Sequence, residues 1–105
     1  MKKILILTAL GILSAPALAV DVTAALDIAK KSGCMSCHGI DNKIVGPAWK
    51  DINKKYAGNP AAEAQLIAKV KNGSKDAWGP IPMPPNATVK DADVKTMVQY
   101  ILTLK

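Results

Sequence analysis

A chain of 105 residues, half of them apolar, has room for one small domain that is marginal on its own core. Its 14 basic residues are all Lys and outnumber 8 acidic ones for a net charge of +6, yet no basic cluster interleaved with aromatics accompanies the excess, which excludes a nucleic-acid-binding reading. Two Cys and one His are too few for a structural zinc centre, which takes about four such ligands.

In chain order, Lys2 and Lys3 precede an apolar run over residues 4–13 and then Ala17-Leu18-Ala19. A basic start, an apolar stretch and a small-x-small site are the parts of a secretory signal peptide. A membrane span needs about 20 apolar residues, and Pro16 follows too soon for that. The expectation is a cleaved signal peptide over residues 1–19 and a single exported domain over residues 20–105, without stable membrane insertion, most simply in a bacterial periplasm. That domain keeps 12 Lys against 8 acidic residues, or +4. Scattered Lys suits either a solvated surface or modest steering toward an acidic partner.

The domain reads as helices and loops. Asp21 or Thr23 can cap a first helix with Val22, Ala25, Leu26 and Ala29 on one face, stopped by Gly33. Pro47 opens a second, with Trp49, Ile52 and Tyr56 at i, i+3 and i+7, ended by Gly58. Asn59 and Pro60 supply a cap and a first helical position for a third, with Leu66, Ile67 and Val70 inward and Gly73 at its close. The last helix begins between Thr88 and Asp91 and buries Val94, Met97, Val98, Ile101 and Leu102. Alternating strand patterns are not found, so the fold class is all-α.

Between the first two helices lies Cys34-Met35-Ser36-Cys37-His38. Two cysteines three apart with a histidine directly after form the attachment signature of c-type haem. Two intervening residues let both thiols reach neighbouring vinyl groups of a porphyrin; each S–H adds across one vinyl, sulfur to one carbon and hydrogen to the other. The next residue then presents its imidazole to the iron. A thiol-disulfide site of thioredoxin type needs a βαβ setting that is lacking here, and a plain disulfide leaves His38 without a role. The chain has no Phe and four large aromatics, Trp49, Tyr56, Trp78 and Tyr100. A porphyrin would supply the missing flat apolar mass, and burying ~400 Å² of apolar surface contributes on the order of 10 kcal/mol.

Residues 78–86 read Trp-Gly-Pro-Ile-Pro-Met-Pro-Pro-Asn, with four prolines in six positions. Such a segment is extended and stiff. Met83 is the candidate second axial ligand by elimination: Met35 sits inside the attachment loop and Met97 belongs to the apolar stripe of the last helix. With both iron faces filled, electron transfer follows more naturally than catalysis. A five-coordinate haem protein that binds a gas or works as a peroxidase would require Met83 off the iron, and a thiol-disulfide enzyme would carry no haem.

The motifs CMSCH, Val45-Gly46-Pro47, Lys71-Asn72-Gly73-Ser74 and the methionine loop together resemble the short bacterial class I cytochromes c, and among these the group that donates electrons to dissimilatory haem cd nitrite reductase. The resemblance spans residues 20–105. It implies four to five helices wrapped round one covalent haem c, held by Cys34 and Cys37, with His38 and Met83 as axial ligands. It further implies that the Pro47 carbonyl accepts the second imidazole N–H, that Trp78 donates to a haem propionate and that Asn86 supports the Met83 side. Lys69 stands where relatives often carry Arg, and an ammonium lacks the bidentate fork, so any propionate clamp there is weaker. The implied partners are nitrite reductase and an upstream quinol-oxidising cytochrome complex, with a terminal oxidase or cytochrome c peroxidase as alternative acceptors; a monomer suits a diffusing carrier. Met35, Ser36, Ile44 and Val45 on one side and Ile81, Pro82, Pro84 and Pro85 on the other are expected to form a largely uncharged, apolar docking patch rimmed by Lys31, Lys43 and Lys50.

Overall fold

The first helix begins where the sequence offers a capping carboxylate. In the computed structural model, which describes Gly11 and residues 20–105, helix α1 spans Val22–Lys31 and Asp21 is its cap, its side chain accepting from the Ala24 N–H at 2.9 Å. The export segment expected over residues 1–19 lies outside the described residues, Gly11 apart. Ala25 and Ala29 are fully buried, Leu26 is partly buried and Val22 is exposed. After Ser32, Gly33 takes a left-handed φ of 77° and turns the chain into a short 3₁₀ turn, Cys34–Ser36.

Helix α2 covers Trp49–Tyr56 and buries Trp49, Ile52 and Tyr56, as the spacing predicts. Helix α3 covers Ala62–Asn72 and starts later than the sequence suggests. The Asn59 side chain accepts from the Ala61 N–H at 2.9 Å and donates to the Gln65 carboxamide, while the Ala62 N–H reaches the Asn59 carbonyl at 3.1 Å. Asn59 therefore builds a turn over Pro60 rather than capping the helix directly. Helix α4 runs Asp91–Ile101 and begins at Lys90 without a side-chain cap; Asp91 and Asp93 in its first turn compensate through the helix dipole.

The fold is all-α: the described residues form four helices and one 3₁₀ turn and no strand, only isolated bridges at His38–Lys43 and Ser74–Met83. Helix α4 is the hub, packing on α1, α2 and α3. The fully buried Val94 and Val98 mark its inner face, and Ala25 and Ala29 let α1 come close. Trp49 meets Tyr100 edge to face, centroids 5.9 Å apart. Asn53 donates to the Ile101 carbonyl at 2.9 Å, adding to the Leu104 N–H at 3.2 Å on a carbonyl at the α4 terminus that has no partner within the helix. This frame leaves the 3₁₀ turn and the long segment between α3 and α4 on the same cleft.

Candidate cofactor-binding cleft

One wall is built from the cysteine motif. The Cys37 and His38 N–H groups both bond the Cys34 carbonyl, at 3.2 and 3.0 Å, so the turn winds tightly from one cysteine to the next. The chain then folds back, and the Val45 and Gly46 N–H groups converge on the Cys37 carbonyl at 3.1 and 2.8 Å. This return places the Pro47 carbonyl 2.7 Å from His38 Nδ1. A carbonyl can only accept, so Nδ1 carries the proton and Nε2 keeps its lone pair for a metal. Gly46 is required for the approach: a Cβ there would stand 2.7 Å from His38 Cε1. Cys34 is half-buried, and that burial pushes its thiol pKa up; Cys37 is exposed.

The facing material comes from the proline-rich segment, seated on the C-terminal end of α3. Ser74 and Met83 exchange both backbone hydrogen bonds, at 3.0 and 2.8 Å. Gly73, with φ of 82°, allows the contact, since a Cβ would lie 2.7 Å from the Met83 carbonyl. Asn86 sends its backbone N–H to the Val70 carbonyl at 3.0 Å and its side-chain amide to Val70 and Pro84 carbonyls at 3.3 and 3.2 Å. Its donors thus hold the segment rather than line the cleft. At the other end, Lys55 donates to the Ala77 carbonyl at 3.1 Å and sits 4.6 Å from the Trp78 ring centroid.

Between these walls opens a cleft of about 1220 Å³, counting its open mouth. Cys34, Cys37, His38, Pro47, Lys69, Trp78 and Met83 all line it; Asn86 does not. Its floor is apolar, from Trp49, Ile52, Leu66, Val98 and Ile101. Met97 also reaches the cleft but is 3% exposed and packed in the core, whereas Met35 is not among the lining residues. Tyr56 and Ser74 are polar lining residues that sequence reasoning missed; only the place of Tyr56 on the inward stripe hinted at it. The charged lining residues are Lys43 and Lys69, with no carboxylate among them. Two thiols, an imidazole with a free Nε2, a thioether, apolar walls and two ammonium groups fit a flat apolar macrocycle that carries iron at its centre and carboxylates at its edge. Among the described residues no cluster of three or more His, Cys, Asp or Glu offers a rival metal site.

Comparison with known proteins agrees with this chemistry. The family model described as Cytochrome c matches residues 23–105. Cytochrome c-552 of Nitrosomonas europaea is 53% identical over 79 residues, covering 75% of this chain and 77% of its own. Cytochrome c-551 of Pseudomonas aeruginosa is 53% identical over 76 residues, 72% of each chain. The crystal structure of wild-type Nitrosomonas europaea cytochrome c552 superposes with a TM-score of 0.74 at 52% identity, over 76% of this chain and 99% of that one.

Proposed function

This chain belongs to the cytochrome c family and is a haem c electron-transfer protein, and from that premise we propose that it is a periplasmic one-electron carrier in which Cys34 and Cys37 hold the haem and His38 and Met83 are its axial ligands. When bound, haem c supplies a one-electron Fe(II)/Fe(III) couple. The Pro47 carbonyl fixes the His38 ring and strengthens its donation through the Nδ1–H bond. The Met83 thioether favours the ferrous state and raises the reduction potential. Trp78 and Lys69 serve the propionates from the cleft wall, and Asn86 secures the segment behind Met83. With His38 and Met83 both committed to the iron, no coordination position would remain for a substrate, and the protein would act as a relay rather than an enzyme. The signal peptide over residues 1–19 delivers the domain over residues 20–105 to the periplasm.

The observation that carries this reading is that His38, its Nδ1 engaged with Pro47, and Met83 line one cleft together with both cysteines. The test is the absorption spectrum of the purified holo-protein. Sharp low-spin ferrous bands and the weak red sulfur-to-iron band of the oxidised form are expected, with the red band lost in Met83→Ala. A high-spin spectrum in the parent protein would overturn the assignment.

For the partner, we infer a dissimilatory nitrite reductase of the haem cd type, fed from a quinol-oxidising cytochrome complex. Support comes from the resemblance carried by the methionine loop and from an exposed apolar rim at the cleft, where Ile44, Val45 and Ile81 are 54%, 45% and 65% exposed. Small apolar patches of this kind suit short-lived redox encounters. Of the rim lysines, Lys31 and Lys50 are ion-paired with Asp27 and Asp41, so steering falls mainly on Lys43. Electron-transfer rates to purified nitrite reductase, terminal oxidase and cytochrome c peroxidase discriminate the acceptors; a faster reaction with either of the last two would replace this choice.

A further inference from the structure

The Lys71-Asn72-Gly73-Ser74 motif ends α3 and has no direct part in holding a cofactor except through Ser74, which lines the cleft. Its contacts point elsewhere. Residues 73–90 join α3 to α4 without helix, and Met83 sits in their middle. Ser74 grips that segment at Met83, Val70 grips it at Asn86, and Lys71 grips its far end. The Lys71 ammonium lies 2.6 Å from the Val89 carbonyl, 3.2 Å from the Ala87 carbonyl and 2.8 Å from the Asp91 carboxylate. An ammonium has three N–H donors, and all three have an acceptor within reach. The Lys71 side chain is 23% exposed against 86% for Asp91, so the lysine is the sheltered member of the pair.

We propose that Lys71 is a positioning residue for Met83: by fastening the segment that follows the methionine, it sets how often the thioether leaves the iron. The inference rests on the reading of Met83 as an axial ligand. Its physical basis is leverage. Four prolines at positions 80, 82, 84 and 85 stiffen the stretch around Met83, so freedom gained at residues 87–90 is passed along rather than absorbed. Charge-assisted hydrogen bonds are stronger than neutral ones, and of the three grips only that of Lys71 is charge-assisted. A site that a ligand can reach only in the open state has an apparent affinity scaled by the open fraction. Loosening the grip therefore exposes the iron to small exogenous bases.

The experiment uses ferric holo-protein with imidazole as the probe and compares the parent, Lys71→Met, Asp91→Asn and Lys95→Met. Lys71→Met keeps the apolar stem and removes the donors. Imidazole affinity is expected to rise on the order of tenfold in Lys71→Met, and by less, in the same direction, in Asp91→Asn, which keeps both carbonyl contacts. Lys95→Met, a neutralised exposed lysine on α4, is expected to leave it unchanged. Amide exchange at Met83 and Asn86 should accelerate alongside, while exchange at the buried Val94 and Val98 does not. An affinity in Lys71→Met within about twofold of the parent, less than the loss of one hydrogen bond would produce, would overturn the proposal. So would an equal rise in Lys95→Met, or equal acceleration at Val94 and Val98, which marks general loosening. A parent that lacks the red sulfur-to-iron band defeats the Met83 assignment itself, a result distinct from a parent with that band and an indifferent Lys71 variant.

Discussion

At Gly46 a single added methyl group would collide with the ring it faces, whereas at Gly58 the same methyl would meet nothing within 4 Å. The two glycines therefore separate two causes of destabilisation. Gly46 is needed for space, and Gly46→Ala should displace the His38 ring, cost about 1–3 kcal/mol in urea unfolding and perturb the low-spin haem spectrum. Gly58 is needed for its left-handed φ of 77°, so Gly58→Ala should cost about 1 kcal/mol and leave the spectrum as it was. His38 illustrates how much one hydrogen bond decides at this scale. The Pro47 carbonyl selects the tautomer, and with it which ring nitrogen is left free.

Helices here are held by their ends as much as by their faces. Asp21 caps α1 with its carboxylate, while α3 and α4 start without a side-chain cap. Asp21→Ala should therefore lower stability by about 1 kcal/mol, read as a shifted urea midpoint with an unchanged slope. The end of α2 fastens a loop: Lys55 holds the Ala77 carbonyl and covers the Trp78 ring. Removing that cation in Lys55→Met should cost about 0.5–1 kcal/mol at this exposed position, and time-resolved indole fluorescence should show greater Trp78 motion. Helix periodicity located most of the buried residues, because the 3.6-residue repeat is written into neighbouring residues, but it missed Ala62 and Tyr100 and placed the exposed Val22 and the partly buried Ile67, Val70 and Leu102 inward. Helix α3 starts later than its Asn59-Pro60 signal suggests because Asn59 competes locally for the same backbone N–H groups, and sequence alone does not rank a turn against a cap.

Among the described residues, four short helices close a small core round α4 that opens on one side into the cleft, and the apolar floor of that cleft needs a covering surface. Haem removal should consequently abolish most of the cooperative unfolding transition and most of the helical circular dichroism; near-complete retention of both would show that the helices stand on their own contacts. The exposed rim of Ile44, Val45 and Ile81 is a surface that stability does not explain. Val45→Glu should slow electron transfer to an isolated acceptor while leaving the reduction potential and the urea midpoint near those of the parent. Among the described residues no helix is long and apolar enough to cross a membrane.

By itself the sequence determined the helical class, the Cys34-Met35-Ser36-Cys37-His38 run and the one methionine held in a stiff, proline-bound segment. Those features are local: a thiol spacing, a repeat and a run of prolines are properties of adjacent residues. Tertiary structure alone decided what surrounds them. Val70 and Lys71 seat a segment 16 to 20 positions away, Trp49 meets Tyr100 across the molecule, and Tyr56 turns out to line the cleft. These pairings depend on how α4 gathers the other helices, and the shape of that packing comes from many side chains filling one space together, which no short window of sequence contains.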